Sequence, residues 1–260
     1  MSRRLDGRSQ GAEAPASPAP ERGCRQLNDP ELVRAQYADE ANLAARKAIY
    51  ANADGPDARE ILFQAIAELE PRRVLEVGGG EGELAERIVR ELGAELAFVD
   101  QSERMVEIAR GRGLDAQVGD VQALPFADAG FDCAVAAWML YHVQDLEQAI
   151  AELTRVLEPG GHLVAVTNGT GHLAELREVA GHTAFWTGMP FRSENAAELL
   201  GRRFSSVEAR HADGWVTIPD DGTIWAYLRS MSPFGPPAEL APHELPLRVR
   251  RCSTVFVATK

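Results

Sequence analysis

The chain has little cysteine and no long apolar run. Its three cysteines, Cys24, Cys133 and Cys252, share no metal-ligand spacing. One falls in a low-complexity tail and two fall in apolar strand patterns, so reduced thiols in a cytosol are the simplest interpretation. No apolar run approaches the length of a membrane span, and the arginines near the N-terminus are not followed by the apolar core of a secretory signal. These absences predict a cytoplasmic protein that does not enter a membrane.

Positive charge is also scarce. The 27 lysines and arginines are outnumbered by 39 aspartates and glutamates, which gives a net charge of −12. This balance argues against a nucleic-acid backbone as the main partner, although a local basic patch would escape such a count. The six histidines show no i, i+4 pairing of the kind that binds zinc, so no metal is predicted.

What is present is the composition of an ordinary globular α/β protein. Hydrophobic residues make up 45% of the chain and charged residues 25%, and 260 residues can bury a sizeable core. The pattern divides the chain into a disordered tail (1–28), N-terminal helices that cover the ligand site (29–70), a ligand-binding core (71–167), a cap insertion that binds substrate (168–203) and C-terminal strands that complete the sheet (204–260).

Strand and helix patterns alternate through the core. Strands are predicted at 73–77, 95–99, 115–118, 131–137 and 162–167, with amphipathic helices between them. Short connections between alternating elements indicate a doubly wound, mostly parallel sheet with helices on both faces. Two further strands are predicted at 204–210 and 252–258. Ligands of such sheets bind beyond the carboxyl ends of the strands, which directs attention to the residues after each strand.

The first of these strand ends carries three glycines at alternate positions. In Val74-Leu-Glu-Val-Gly-Gly-Gly-Glu-Gly82, glycine permits positive φ and lets a ligand approach the backbone amides. Asp100 follows about twenty residues later, where a carboxylate can accept both hydroxyls of a ribose. The third glycine comes one residue too early for a dinucleotide fingerprint. Glu76 would repel a pyrophosphate but would favour a cationic amino group.

These stretches together resemble the class I S-adenosylmethionine-dependent methyltransferases, specifically the ubiquinone/menaquinone-methyltransferase-like group (methyltransferase type 11). The resemblance covers about residues 60–170, and the combination of stretches is more specific than any one of them. The matching stretches are Val74 to Gly82, Val99-Asp100, Gly119 to Phe126, Phe131 to Val143, and Arg155-Val-Leu-Glu-Pro-Gly-Gly161. Gly79 departs from the family, which often has Cys or Ala there.

The resemblance implies a seven-stranded sheet with an antiparallel last strand, S-adenosyl-L-methionine as the cofactor, and a role for each matching residue. Glu76, Gly78 and Gly80 would line the methionine part, Asp100 would hold the ribose, Gln101, Met105, Asp120 and Val121 would surround the adenine, and Ala137 and His142 would lie near the methionine end. Asp120 also suits a plain turn, and His142 also suits a buried structural histidine.

The acceptor side is predicted from residues that follow the fourth and fifth strands. A base is needed if the acceptor is a hydroxyl or an acidic carbon, and a tyrosine in an N-terminal segment commonly closes over the cofactor in this group. The catalytic candidates are His142, His172 and Tyr37. The substrate-binding candidates are Asn168, His182, Phe185 and Trp186. The aromatic pair equally fits a core patch of the cap.

Several functions fit this sequence. The first is methyl transfer to a small molecule through O, N or C, in specialised metabolism. The second is methylation of a peptide, protein or RNA, although Ala136-Ala-Trp-Met139 lacks the signature of base-amino methylases. A protein that binds the cofactor without turnover and a nicotinamide dehydrogenase are the remaining options. The oligomeric state is open, with a homodimer among the choices.

Overall fold

The computed structural model describes residues 40–181, 189–231 and 237–260. The strands, in chain order, are β1 (Ala53–Asp54), β2 (Arg73–Val77), β3 (Glu95–Asp100), β4 (Asp115–Val118), β5 (Phe131–Ala137), β6 (Leu157–Asn168), β7 (Ser206–His211), β8 (Gly214–Ile218), β9 (Leu247–Arg251) and β10 (Ser253–Thr259). The helices are α1 (Glu40–Ala48), α2 (Ala58–Glu68), α3 (Glu83–Leu92), α4 (Glu103–Gly111), α5 (Leu146–Val156), α6 (Ala174–Val179), α7 (Ala196–Gly201) and α8 (Asp221–Ser230).

Seven strands form the main sheet in the order β4-β3-β2-β5-β6-β10-β7. Strands β2 to β6 pair in parallel, and β10 is antiparallel to both β6 and β7. The central strands are apolar on both faces because helices cover both, as Val74 and Leu75 show by being fully buried. The predicted doubly wound sheet with an antiparallel last strand is confirmed.

Polar side chains cap the first turns of α4 and α5. The Ser102 hydroxyl accepts a hydrogen bond from the Met105 amide, and the Asp145 carboxylate accepts one from the Gln148 amide. The Gln148 side chain does not close a capping box. It donates to the Gln122 carbonyl, while the Gln122 side chain accepts from the Asp145 amide. These bonds fasten α5 to the loop after β4, close to the expected adenine site.

A second, three-stranded antiparallel sheet, the cap sheet, has the order β1-β8-β9. Its apolar side packs with α6, α8 and the 3-10 turn Ile49–Asn52 around Val216, Ile218 and Val249. The segment 204–260 is predicted to complete the main sheet, and β7 and β10 do so. Between them, β8 and β9 join β1 in the cap sheet, and α8 packs against that sheet. The division of the chain into five segments stays a prediction.

N-terminal helices are predicted over 29–70, and the structure describes this segment from residue 40 onward. Helix α1 ends at Ala48, a 3-10 turn follows, and the chain is extended by Ala53. No helix in the described ranges has the length and apolar character needed to cross a bilayer.

Candidate functional site

A cavity of about 630 Å³ lies between the carboxyl ends of β2, β5 and β6 and the cap sheet. Ligand pockets for small molecules fall in this size range. The glycine turn after β2, residues 78–81, forms one wall, and the 3-10 turn after α1 and the end of β9 form others. A cavity therefore lies beyond the strand ends, where the sequence predicts a site.

The glycine turn needs its glycines for two different reasons. Gly78, Gly80 and Gly82 have φ of +64°, +58° and +73°, a region that other residues rarely adopt. A Cβ at Gly82 would lie 2.8 Å from a methyl carbon of Leu114, so this glycine lets α3 pack closely. A Cβ at Gly80 would meet only Leu43, at 4.0 Å. Gly80 thus keeps bare backbone at the cavity wall.

Glu76 is a buried carboxyl with an unsatisfied oxygen. It lines the cavity at the end of β2 with 1% of its surface exposed, and it accepts a hydrogen bond from the Ala85 amide. Its Oε2 atom is buried and has no partner among the described residues. Burial, and then the neighbouring Asp100, raise the pKa of Glu76 to about 8. A cationic ligand group would offset this cost, so the site suits the ammonium and sulfonium of S-adenosylmethionine.

Asp100 ties the glycine turn to the end of β3. Its Oδ2 accepts a hydrogen bond from the Gly80 amide at 3.3 Å, and its Oδ1 accepts one from the Ser102 amide at 2.9 Å. Burial raises the pKa of Asp100 to about 6. Asp100 is not part of the wall of the large cavity; it lies on the far side of the glycine turn, where it reaches the same backbone that the cavity exposes.

The residues expected around the adenine lie near the ends of β3 and β4, outside the cavity wall. Met105 and Val121 are buried, whereas Gln101 and Asp120 are exposed. The Asp120 carboxylate accepts hydrogen bonds from the backbone and side-chain amide of Gln122, an arrangement that holds a turn. The structure therefore groups these four residues at the edge predicted for them, and their contact with adenine stays a prediction.

Arg155, from the fifth matching stretch, fixes the loop after β4. Its guanidinium donates to the carbonyl oxygens of Leu124 and Phe126 and to the carboxylates of Asp128 and Glu152. Glu152 in turn accepts from the Leu124 amide. Charge-assisted bonds of this kind are stronger than neutral ones, so α5 holds the loop that follows Asp120 in one shape.

The residues predicted to bind the methyl acceptor follow β5 and β6, and we call this part of the cavity its acceptor side. Trp138 has φ of +52°, and its indole donates to Asn168 Oδ1 at 3.1 Å. Ser253 Oγ donates to the same oxygen at 2.8 Å. Because an indole can only donate, this contact fixes the orientation of the Asn168 amide. Its Nδ2 makes no hydrogen bond within the described residues. Ala137 and His142 also line the cavity, and the His142 ring lies 4.5 Å from that of Tyr141.

A tyrosine that the sequence pattern did not single out contacts one of the predicted catalytic histidines. Tyr50 Oη lies 2.9 Å from His172 Nε2, and both residues line the cavity. His172 Nδ1 lies 3.2 Å from the carbonyl oxygen and 3.1 Å from the amide nitrogen of Cys252, so either neutral tautomer has a partner. Burial lowers the pKa of His172 to about 3, which keeps the ring neutral. Burial also raises the pKa of the Tyr50 hydroxyl.

Four of the predicted residues lie outside the described ranges: Tyr37, His182, Phe185 and Trp186. Of the other candidates, the cavity brings together Glu76, Gly78, Gly80, Ala137, His142, Asn168 and His172. Sequence patterns did not single out Tyr50 or Arg251 as site residues. Tyr50 follows a helix with no motif around it, and Arg251 reaches the cavity only because β9 joins the cap sheet.

Comparison with known proteins identifies the family. Residues 75–165 match the family described as methyltransferase domain. Malonyl-[acyl-carrier protein] O-methyltransferase from Pseudescherichia vulneris is 35% identical over 182 residues, which span 68% of this chain and 69% of the relative. Demethylmenaquinone methyltransferase from Thermus thermophilus is 40% identical over 106 residues, which span 38% of this chain and 48% of the relative.

The fold has solved counterparts. Phosphoethanolamine N-methyltransferase 2 from Haemonchus contortus, in complex with S-adenosyl-L-methionine, superposes with a TM-score of 0.61 at 18% identity, over 92% of this chain and 60% of the other. The main sheet, the glycine turn and the unsatisfied carboxyl of Glu76 agree with that cofactor. The chain belongs to the methyltransferase-domain family and is a class I S-adenosylmethionine-dependent methyltransferase.

Proposed function

We propose that this enzyme transfers a methyl group to a small molecule of specialised metabolism that binds between the glycine turn and the cap sheet. The observation that carries the proposal is the cavity of about 630 Å³, which is bounded by the glycine turn on one side and by the cap sheet on the other. An acceptor in such a space reaches the methyl donor with little water present, and alignment of the reacting atoms is the main catalytic requirement.

Each cofactor contact is assigned to a residue of the strand ends. Glu76, Gly78 and Gly80 hold the methionine part, Asp100 holds the ribose hydroxyls, and Ala137 and His142 border the methionine end. The adenine pocket is assigned to Gln101, Met105, Asp120 and Val121. When bound, the cofactor supplies an electrophilic methyl group, so the protein has no need to activate the donor. Its own residues orient the acceptor and receive a proton.

On the acceptor side we assign three roles. Asn168 donates from its Nδ2 to the acceptor, because its oxygen is already bound by Trp138 and Ser253. His172 positions Tyr50, since a pKa of about 3 makes its ring a weak proton acceptor at neutral pH. Proton transfer is assigned to His142, the other histidine among the described lining residues.

The alternative substrates are a peptide, a protein or RNA. The net charge of −12 disfavours RNA, and the volume of the cavity, about 630 Å³, suits a small acceptor. The relatives named above point to a carrier-bound malonyl group and a demethylmenaquinone as acceptors of those enzymes. For this chain the identity of the acceptor, a cytoplasmic location and a homodimer stay predictions.

The test is methyl transfer from labelled S-adenosylmethionine. The purified protein is offered a panel of small carboxylic acids, phenols, amines and activated carbon acids, and in parallel a peptide mixture and total RNA. We expect label in the small-molecule fraction, and at least tenfold less label with Asp100→Ala when S-adenosylmethionine is well below saturation. Label confined to peptide or RNA would contradict the proposal, and it would move the acceptor outside the cavity.

A further inference from the structure

The cap wall of the cavity carries a buried cation that no carboxylate of the described residues neutralises. Arg251 is the last residue of β9, has 7% of its surface exposed and lines the cavity. No ion pair joins it to a carboxylate of the described residues. An uncompensated buried charge is costly, so proteins pair such a group or use it to bind a ligand.

The contacts of Arg251 leave much of its hydrogen-bonding capacity unused. Nη2 donates to the backbone carbonyl oxygens of Asp54, at 2.9 Å, and of Pro56, at 2.6 Å. Nε is buried and has no partner in the part of the chain that the structure describes. Carbonyl oxygens orient the guanidinium but carry no net charge, and a guanidinium offers five donors in a fixed plane. The guanidinium is therefore held in place by neutral groups, with no anionic partner among residues 40–181, 189–231 and 237–260.

The carboxylates of the cavity wall do not fill this role, because most are bound by other groups. Glu81 and Glu83 both contact Lys47, at 2.6 and 2.9 Å, and Glu60 contacts Arg87. Asp57 caps α2 by accepting from the Arg59 amide. Glu76 remains, at the glycine turn, where Asp100 is the charged group that affects it most.

Charge is therefore distributed unequally between the two ends of the cavity. The end at the glycine turn has the buried carboxyl of Glu76, whereas the end at the cap sheet has Arg251 beside the Tyr50–His172 pair. Burial raises the pKa of Tyr50 and lowers that of His172, and the charge of Arg251 opposes the first shift and adds to the second. Arg46 lines the same cavity and donates to the Ser230 carbonyl. A cationic methyl donor fits the first end, and an anionic acceptor fits the second.

We propose that Arg251 binds a carboxylate of the methyl acceptor, and that the acceptor is therefore an organic acid. The inference rests on the proposed function, since it names the substrate class of the same cavity. Arg251 holds the acid from the cap side, so that the rest of the acceptor points toward the glycine turn. Arginine suits this role because it stays charged at neutral pH and because its Nη1 donors, unlike those of Nη2, make no hydrogen bond with the residues that the structure describes.

The test compares acids with their neutral amides on protein saturated with S-adenosylhomocysteine. The probes are acetate, malonate and phenylacetate, each beside its amide, at constant ionic strength, with binding measured by calorimetry and by the shift in melting temperature. At least one acid is expected to bind about tenfold or more tightly than its amide, because a charge-assisted bond in a buried site is lost with the amide.

The variant is Arg251→Gln, and its matched control is Arg248→Gln. Both arginines are on β9, but Arg248 is exposed and contacts Asp54 at 3.4 Å. Arg251→Gln should lose the preference for acids, whereas Arg248→Gln should keep it. Arg251→Lys keeps the positive charge without the planar guanidinium and should retain part of the preference. Unchanged affinity for S-adenosylhomocysteine shows that each variant is folded.

The outcomes separate this inference from the proposed function. Binding of S-adenosylhomocysteine with no acid preferred over its amide would overturn the role of Arg251 and leave the methyltransferase site intact. A preference that survives in Arg251→Gln would overturn it as well, because the anion would then bind elsewhere. Failure to bind S-adenosylhomocysteine would overturn both.

Discussion

At the scale of the residue, Asp100 has a structural role that is separate from its expected ligand. Its two oxygens accept from the Gly80 and Ser102 amides, which joins the glycine turn to the end of β3. Each carboxylate oxygen has a second lone pair, so these contacts leave acceptor capacity for ribose hydroxyls. A substitution here therefore tests the site and the turn together, and the two effects need separate measurements.

Asp100→Ala should weaken binding of S-adenosylmethionine at least tenfold, on the order of 1.4 kcal/mol or more, because two charge-assisted bonds are lost. Titration calorimetry measures the affinity, and urea unfolding measures the cost to the fold. Asp132→Asn is the control, since Asp132 also accepts from two backbone amides, those of Arg72 and Arg73, but far from the cavity. Unchanged affinity in Asp100→Ala would remove Asp100 from the cofactor site.

The sequence predicts Asp100 as a site residue. It does not predict the contact between Tyr50 and His172 on the other side of the cavity. A carboxylate at a strand end is placed by the strand pattern alone, because the carboxyl ends of parallel strands share one edge. Tyr50 and His172 are 122 positions apart in the chain. Their contact depends on how the 3-10 turn after α1 packs against the segment after β6. No local sequence pattern predicts that packing.

At the scale of the element, the glycine turn combines packing and binding in three alternate residues. Gly82 faces Leu114 at a distance that excludes a methyl group, whereas Gly80 faces open cavity. The two positions have similar backbone conformations, with φ of +73° and +58°. An alanine at either position would therefore have a similar backbone strain. Its methyl group would clash with Leu114 at position 82 and would enter the cavity at position 80.

Gly82→Ala and Gly80→Ala should consequently have different effects. Both should lower the unfolding free energy by about 1–2 kcal/mol, the cost of left-handed backbone for alanine, and Gly82→Ala should lower it further through its clash with Leu114. Gly80→Ala should reduce cofactor affinity about tenfold, because its methyl group enters the cavity. Denaturant unfolding and titration calorimetry separate the two. Equal losses of stability, with no difference in affinity, would contradict this division of roles.

The elements of the main sheet were predicted closely, and those of the cap sheet were not. Strands 73–77, 115–118 and 131–137 match the structure, and the first and last of these are mostly apolar runs between turn residues. β1 has two residues, and it pairs with β8 more than 160 positions later in the chain. A pairing of that separation has no periodic signature in the sequence.

At the scale of the whole molecule, Glu76 links pH to stability and to cofactor affinity. Its pKa in the fold is about 8, against 4.5 without the fold. Between these values the folded protein holds a proton that the unfolded chain has released, so the contribution of Glu76 to stability is complete below pH 4.5 and is lost as pH rises toward 8. Asp100 acts in the same direction between 3.8 and about 6.

Two measurements follow from this linkage. The unfolding free energy should fall as pH rises from 5.5 to 8, by up to about 1.4 kcal/mol per pH unit, and the fall should be smaller in Glu76→Gln. Affinity for S-adenosylmethionine should rise by up to about tenfold per pH unit between pH 5.5 and 7, because the cationic ligand favours ionised Glu76. Glu81→Gln, whose native carboxylate is bound by Lys47, is the control and should keep both slopes. A flat profile in the native protein would contradict the assignment.

The three strands of the cap sheet are anchored to the rest of the chain with unequal strength. Only Ala212 and Asp213 separate β8 from β7, and only Cys252 separates β9 from β10, so short covalent links bind two of the strands to the edge of the main sheet. β1 is attached through two residue pairings, Ala53 with Val216 and Asp54 with Trp215. Peeling β1 away disturbs the fewest backbone bonds, and Tyr50 precedes it by three positions. Within the cap sheet, separation of β1 from β8 therefore costs fewer backbone pairings than separation of β8 from β9, and it would release the strand that follows Tyr50.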